Sequence, residues 1–213
     1  LLPVDAKTLQ LNLRSGAGTD AFSFQGIGRF DAAEGGYGGT VALTNASRGV
    51  DKDIEIVAAG KGATAGFSGI SVEADSLNAL GAARLLVGGM TVVMYGQGGN
   101  YIGLTNAASS SIVLREGATL AAPEVMLATT SGKITVEQGA SINTIGRGKA
   151  SYDARDGFVY KLANVLAVSN GLLNIVASPS SNGTSGGIEL GGCSGAPCSG
   201  QTGFIMLKSA IWS

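Results

Sequence analysis

Histidine is absent from this chain, and only 14% of its residues are charged. Without histidine, a serine or cysteine nucleophile lacks its commonest general base, and every His-containing metal site is excluded. With 14 basic and 15 acidic residues spread along the sequence, the formal net charge is -1. That leaves no basic footprint for phosphate backbones, so nucleic acid is not an expected partner. The longest apolar runs, such as Leu162 to Val168, are too short and too interrupted to span a bilayer, so no membrane insertion is expected. The opening Leu1-Leu2-Pro3-Val4-Asp5 carries no basic leader and no cleavage site, and the chain reads as an internal or already processed segment. Gly60-Lys61-Gly62 lacks the glycine spacing and the following Ser or Thr of a phosphate loop, and no dinucleotide fingerprint occurs. No cofactor is expected.

What the chain has in quantity is glycine, 35 residues against 4 prolines, with 45% hydrophobic residues. No Gly-X-Y period accompanies the glycine, and Val, Ile and Leu are frequent, so neither collagen nor disorder fits. An all-β chain with frequent corners does. Two stretches repeat each other: Ile112-Val113-Leu114-Arg115-Glu116-Gly117-Ala118-Thr119-Leu120 returns 22 residues later as Ile134-Thr135-Val136-Glu137-Gln138-Gly139-Ala140-Ser141-Ile142. Apolar residues alternate within each copy, so each half reads as a short strand with one buried face. Glu116-Gly117 and Gln138-Gly139 sit where a corner needs a residue tolerant of positive φ. Strand, glycine corner, strand and return describe one rung of a β-solenoid. Leu43-Thr44-Asn45-Ala46-Ser47 echoes Leu104-Thr105-Asn106-Ala107-Ala108 at a distance close to three rungs.

Further strand-like runs hold Leu9, Leu11 and Leu13; Val41 and Leu43; Ile54 and Ile56; Ile70 and Val72; Val92 to Tyr95; Leu172 to Val176; Ile188 to Leu190; and Phe204 to Leu207. Residues 146–163 and 178–187 are expected loop insertions, since one concentrates charge and glycine and the other is polar and of low complexity. Arg147, Lys149, Tyr152, Asp153, Arg155 and Asp156 form the expected interaction loop, because insertions in stacked repeats collect on one, often interacting, face. Leu77 to Val87 suits a short amphipathic helix, although Gly81 and Gly88-Gly89 weaken it.

Candidate chemistry is sparse. Asp51, Asp53 and Glu55 share one face of a strand at period two, where they could bind Ca²⁺ or cleave glycans, or simply form a solvated face beside Lys52. Asp153 and Asp156 with Arg155 and Arg147 are a second conceivable acidic site, against the ordinary charge of a loop. Gly183-Thr184-Ser185-Gly186-Gly187 matches G-x-S-x-G without strand-turn-helix context or triad partner, and is read as chance. Cys193 and Cys198 lie in a small glycine-rich loop that can close a disulfide, suiting an oxidising location; free thiols are the other reading, and a metal site lacks the further ligands it needs. Asn45-Ala46-Ser47 and Asn182-Gly183-Thr184 fit the glycosylation sequon. Tyr95, Tyr101, Tyr152, Tyr160 and Trp212 are scattered; gathered into a surface row they would favour a lectin-like role.

Leu77-Asn78-Ala79-Leu80-Gly81-Ala82-Ala83-Arg84-Leu85-Leu86-Val87-Gly88-Gly89, then Ile112-Val113-Leu114, Ala122-Pro123-Glu124-Val125-Met126-Leu127 and Ile134-Thr135-Val136, resemble the order of segments in filamentous-haemagglutinin-like exoproteins of Gram-negative bacteria. The resemblance covers about residues 40 to 145 and is more specific to architecture than to role. The secretion signature usual at the N-terminus of such proteins is not recognisable in residues 1 to 30. It implies a right-handed parallel β-helix, with Leu77 to Gly89 part of a rung, and secretion by a two-partner system through an outer-membrane pore. The expectation is therefore a single-domain, all-β, right-handed parallel β-helix (β-solenoid) with loop insertions. Its expected role is structural and adhesive, as a cell-surface or extracellular rod for adhesion, fibre or biofilm formation, and not enzymatic. Expected partners are further copies of itself, stacked end to end or laterally, and host or matrix glycans. The alternatives are a β-helix glycan-active enzyme and a lectin-like glycan-binding module.

Overall fold

The computed structural model describes residues 4–48, 52–96, 99–105, 111–129, 132–150, 158–160, 164–171, 175–177 and 187–192. In chain order the elements are β1 (Thr8–Leu13), β2 (Thr40–Asn45), β3 (Ile54–Val57), β4 (Ile70–Glu73), α1 (Ala74–Asn78), β5 (Arg84–Val87), β6 (Met90–Gly96) and β7 (Gly99–Thr105). There follow β8 (Ile112–Leu114), β9 (Thr119–Ala121), β10 (Glu124–Thr129), β11 (Lys133–Glu137), β12 (Ser141–Asn143), β13 (Phe158–Tyr160), β14 (Asn164–Ser169), β15 (Ile175–Ala177) and β16 (Gly187–Gly192).

The two repeat copies pair side by side. Ile112 faces Ile134 and Leu114 faces Val136 where β8 and β11 run parallel, and Leu120 faces Ile142 where β9 and β12 do. Between the halves, Gly117 and Gly139 take φ of +77° and +78°, the left-handed conformation the sequence leads one to expect at a corner. The apolar side chains of these strands, with those of β2, β3, β4, β5 and β10, meet in one buried cluster that includes Leu43, Ile54, Leu85 and Leu127.

A parallel β-helix over residues 1–213 is nevertheless not what the strands build. They fall into four separate sheets, ordered β1-β2-β5-β10-β14, β16-β11-β8-β3-β4, β12-β9 and β15-β13-β7-β6, that are not stacked into a solenoid. Two of the four are mixed, because β14 runs antiparallel to β10 and β6 antiparallel to β7. One cause is burial on both faces. Ala42, Leu86 and Met126 are as buried as their neighbours Val41, Leu85 and Val125, so the central strands β2, β5 and β10 have no solvated outer face of the kind a single coil leaves. β6 of the fourth sheet lies against β2. The second cause is the short connection 97–98 in Gly96-Gln97-Gly98-Gly99, which joins β6 to β7. Two residues suffice for an antiparallel hairpin, whereas a parallel return needs a dozen or more.

Three further expectations change. Leu77 to Val87 is not a helix along its length: α1 ends at Asn78, and β5 begins at Arg84. The echo between Leu43 and Leu104 is not a stacked pair, since β2 lies in the first sheet and β7 in the fourth. Residues 146–163 are not loop throughout, because β13 pairs with both β7 and β15. Among the described residues no helix is long and apolar enough to cross a membrane.

Backbone crowding where the sheets approach is tested at Gly88. Its φ is +89°, and a Cβ there would lie 2.2 Å from the Ala128 carbonyl oxygen and 2.7 Å from Ile112 Cδ1. Gly88→Ala is expected to cost about 2–4 kcal/mol, combining left-handed strain with overpacking. At Gly60, also left-handed but open, alanine should cost only about 1 kcal/mol. Urea midpoints of the two variants measure the contrast.

Candidate functional site

The aligned carboxylates of β3 come first. Glu55 points away from Ile54 and Ile56, yet its side chain is 0% exposed. The segment after β3 folds back over it. Oε1 accepts from the Thr64 amide at 2.8 Å and from Ser71 Oγ at 2.6 Å, while Oε2 accepts from Arg115 Nε at 2.8 Å. Arg115 reaches on to Glu137 Oε1 at 2.9 Å, and its guanidinium lies 5.6 Å from the centre of the Phe67 ring. Glu137 Oε2 takes the Glu116 amide at 3.0 Å. Burial alone would raise the Glu55 carboxyl, but the bonds from Ser71, Thr64 and Arg115 outweigh it and hold the group below its ordinary 4.5. For Arg115, burial is outweighed by Glu137 and Glu55, and its pKa is raised.

This cluster ties β3, β4, β8 and β11 together at one corner. Glu55 is engaged in it, so the solvated face expected for Asp51, Asp53 and Glu55 is corrected at Glu55, whose two oxygens are both held by protein donors. Asp51 lies outside the described residues. No group of three or more His, Cys, Asp or Glu side chains among the described residues is placed to hold a metal ion.

A second polar centre lies at the start of the first sheet. Arg84 and Glu124 face each other across β5 and β10 and form an ion pair with both side chains 0% exposed. Sequence reasoning missed it. The available signal was that Arg84-Leu85-Leu86-Val87 and Glu124-Val125-Met126-Leu127 each place a charge at the head of an apolar run.

Just outside that pair, Ala83 and Pro123 form part of the floor of a cleft of about 520 Å³. Residues 30–38 make one wall and 147–150 the other. The first is held by Tyr37 N donating to Asp5 Oδ1 at 3.0 Å and Gly39 N to Phe30 O at 2.8 Å. At Gly38 this wall lies so close to the floor that a Cβ would sit 2.5 Å from that of Ala83. The second wall is held by Asn170, which donates through Nδ2 to the Thr144 carbonyl at 3.2 Å and to that of Gly148, and through its backbone N–H to Pro123 O at 3.0 Å.

Arg147 and Lys149 of the expected interaction loop both line this cleft, and both are exposed without a hydrogen-bond or ion-pair partner among the described residues. Facing them are Asp31 and the half-buried Tyr37 and Phe30. Tyr152, Asp153, Arg155 and Asp156 lie outside the described residues, as do Cys193, Cys198 and the sequon at Asn182. Gly183 to Gly186 do so too. The other sequon is closed: Asn45 is 0% exposed, donating to Ser15 Oγ at 2.9 Å and the Asp53 carbonyl at 3.2 Å. It offers no accessible amide for a sugar.

No family model, no curated protein and no solved structure matches the chain.

Proposed function

We propose that this chain is a non-catalytic structural and adhesive module of a secreted bacterial surface protein. The observation that carries the reading is the fate of Glu55. In the row that offered the sharpest catalytic or Ca²⁺-binding hypothesis, its carboxylate is closed off by Ser71, Thr64 and Arg115 and serves to fasten neighbouring strands. Export through an outer-membrane pore and a place on the cell surface belong to the same reading and rest on the resemblance to haemagglutinin-like exoproteins.

Association of copies is the proposed mechanical role, and β1 is the surface that would support it. It is the outermost strand of the first sheet, its Thr8-Leu9-Gln10-Leu11-Asn12-Leu13 holds no charge and no proline, and Leu9 is 38% exposed. Charged side chains and proline are the usual means of blunting such an edge. Sedimentation velocity on the whole chain should show concentration-dependent association, and Leu9→Lys should shift it to monomer. Turnover of any polysaccharide by the parent chain, or a strictly monomeric parent, would overturn the reading.

A second reading, a lectin-like glycan-binding module, is favoured by the cleft lined by residues 30–38 and 147–150, with its two cations that form no ion pair among the described residues and the half-buried Tyr37.

A further inference from the structure

We infer that the cleft between residues 30–38 and 147–150 binds a carboxylate-bearing sugar ring of an acidic polysaccharide, with Arg147 and Lys149 holding the carboxylate. The inference rests on the lectin-like reading and names its ligand class. Small-ligand sites span about 300–1,000 Å³, and the cleft's volume of about 520 Å³ falls within that range.

The two cations define the charge of the ligand. In a chain whose net charge is -1, they stand one residue apart in the lining and form no ion pair among the described residues. Arginine offers a planar fork that matches a carboxylate with two parallel N–H···O bonds, and lysine adds a mobile point charge. Asp31 limits that charge. Its carboxylate on the facing wall repels a ligand bearing several anionic groups per ring, so one carboxylate per sugar fits better than dense sulfation.

The rest of the lining suits a sugar better than an acidic peptide. Much of it is glycine and alanine, whose backbone groups can exchange hydrogen bonds with ring hydroxyls. The half-buried Tyr37 in the lining supplies a ring on which the C–H face of a pyranose can lie. An acidic peptide would satisfy the cations but make no use of that ring.

Calorimetric titration of the whole chain tests the assignment, with galacturonic-acid oligomers, neutral galactose oligomers, a heavily sulfated glycan and oligoglutamate as probes. Galacturonate oligomers should bind, and Arg147→Gln with Lys149→Gln should weaken them by about tenfold or more, since at least one charge-assisted bond is lost. Tyr37→Ala should weaken both the charged and any residual neutral binding, and added salt should weaken only the charged. Thermal melts equal to the parent's would show that the exposed substitutions leave the fold intact. No binding of galacturonate, binding unchanged in the double variant, or equal or tighter binding of oligoglutamate or the sulfated glycan would overturn the inference. Sedimentation of the same samples reads the assembly role separately, so a cleft that binds nothing in a chain that still associates would sink this inference alone.

Discussion

Glu124→Ala will unfold at a much lower urea concentration than the parent chain, losing about 3–5 kcal/mol, because it leaves the guanidinium of Arg84 buried without its carboxylate. The double variant Arg84→Met with Glu124→Leu should recover most of that loss. A buried pair repays its desolvation only when every polar atom is satisfied, and Glu124 Oε2 has no hydrogen-bond partner among the described residues. The apolar pair should pay in another way. Strand register is normally set by alternation of buried and exposed residues, since a slip by one residue turns every side chain to the wrong face. Here Leu85-Leu86-Val87 lies against Val125-Met126-Leu127 and both faces are buried, so apolar matching discriminates weakly between registers. The facing of Arg84 and Glu124 is the one charged mark that distinguishes them. The double variant should therefore keep its urea midpoint while its amides in β5 and β10 broaden or split in NMR spectra. A single sharp set of resonances would show that the pair does not specify register.

The part of the fold that could be read in the sequence is the part where one face is buried and the other is not. Ile112 and Ile134, Thr119 and Ser141, and the two glycine corners alternate or recur at fixed spacing, and their copies pair as neighbours; the hydroxyls of Thr119 and Ser141 lie 2.8 Å apart. Periodicity gave no purchase on β5 and β10, whose apolar runs are buried on both sides and look the same as any core segment. The hairpin of β6 and β7 was hidden for a different reason. Gly96-Gln97-Gly98-Gly99 is a turn signal, but a reading organised around rungs treats a glycine pair as one more corner, and only the direction of the next strand separates the two.

The candidate site was legible in position more than in form. Arg147 and Lys149 stood out as cations in a glycine-rich stretch, and they do line a cleft. Its opposite wall, residues 30–38, lies more than a hundred positions away in sequence and carries no periodic pattern linking the two. Glu55 failed through burial. A period-two carboxylate row reads as solvated unless something covers it, and the cover comes from the segment between β3 and β4, whose Thr64 amide bonds Glu55 and whose Phe67 ring lies against Arg115. Phe67 among Gly66, Gly69 and Ser68 was the available hint that this loop packs inward.

Arg115→Met will invert the response of this corner to acid. In the parent chain the Glu55 carboxyl sits below 4.5, because hydrogen bonds from Ser71, Thr64 and Arg115 overcome the burial that opposes its charge. A carboxyl lowered in the folded state stabilises fully above its unfolded pKa, and that contribution is lost as pH falls below about 4.5 through the lower folded value. Removing Arg115 takes away the cation that Glu55 and Glu137 share, so both carboxylates stay buried without their counter-charge. At pH 7 the variant should lose about 2–4 kcal/mol. Burial then dominates at Glu55 and pushes its pKa upward, so protonation on acidification relieves part of the damage. Between pH 7 and pH 4 the parent should lose stability while the variant holds level or gains, and their urea midpoints should converge. Parallel falls in both would mean that Glu55 is held by Ser71 and Thr64 alone. Arg115→Lys would then distinguish charge from geometry: a restored acid response without restored stability at neutral pH would show that one ammonium supplies the charge but cannot span both carboxylates as the guanidinium does.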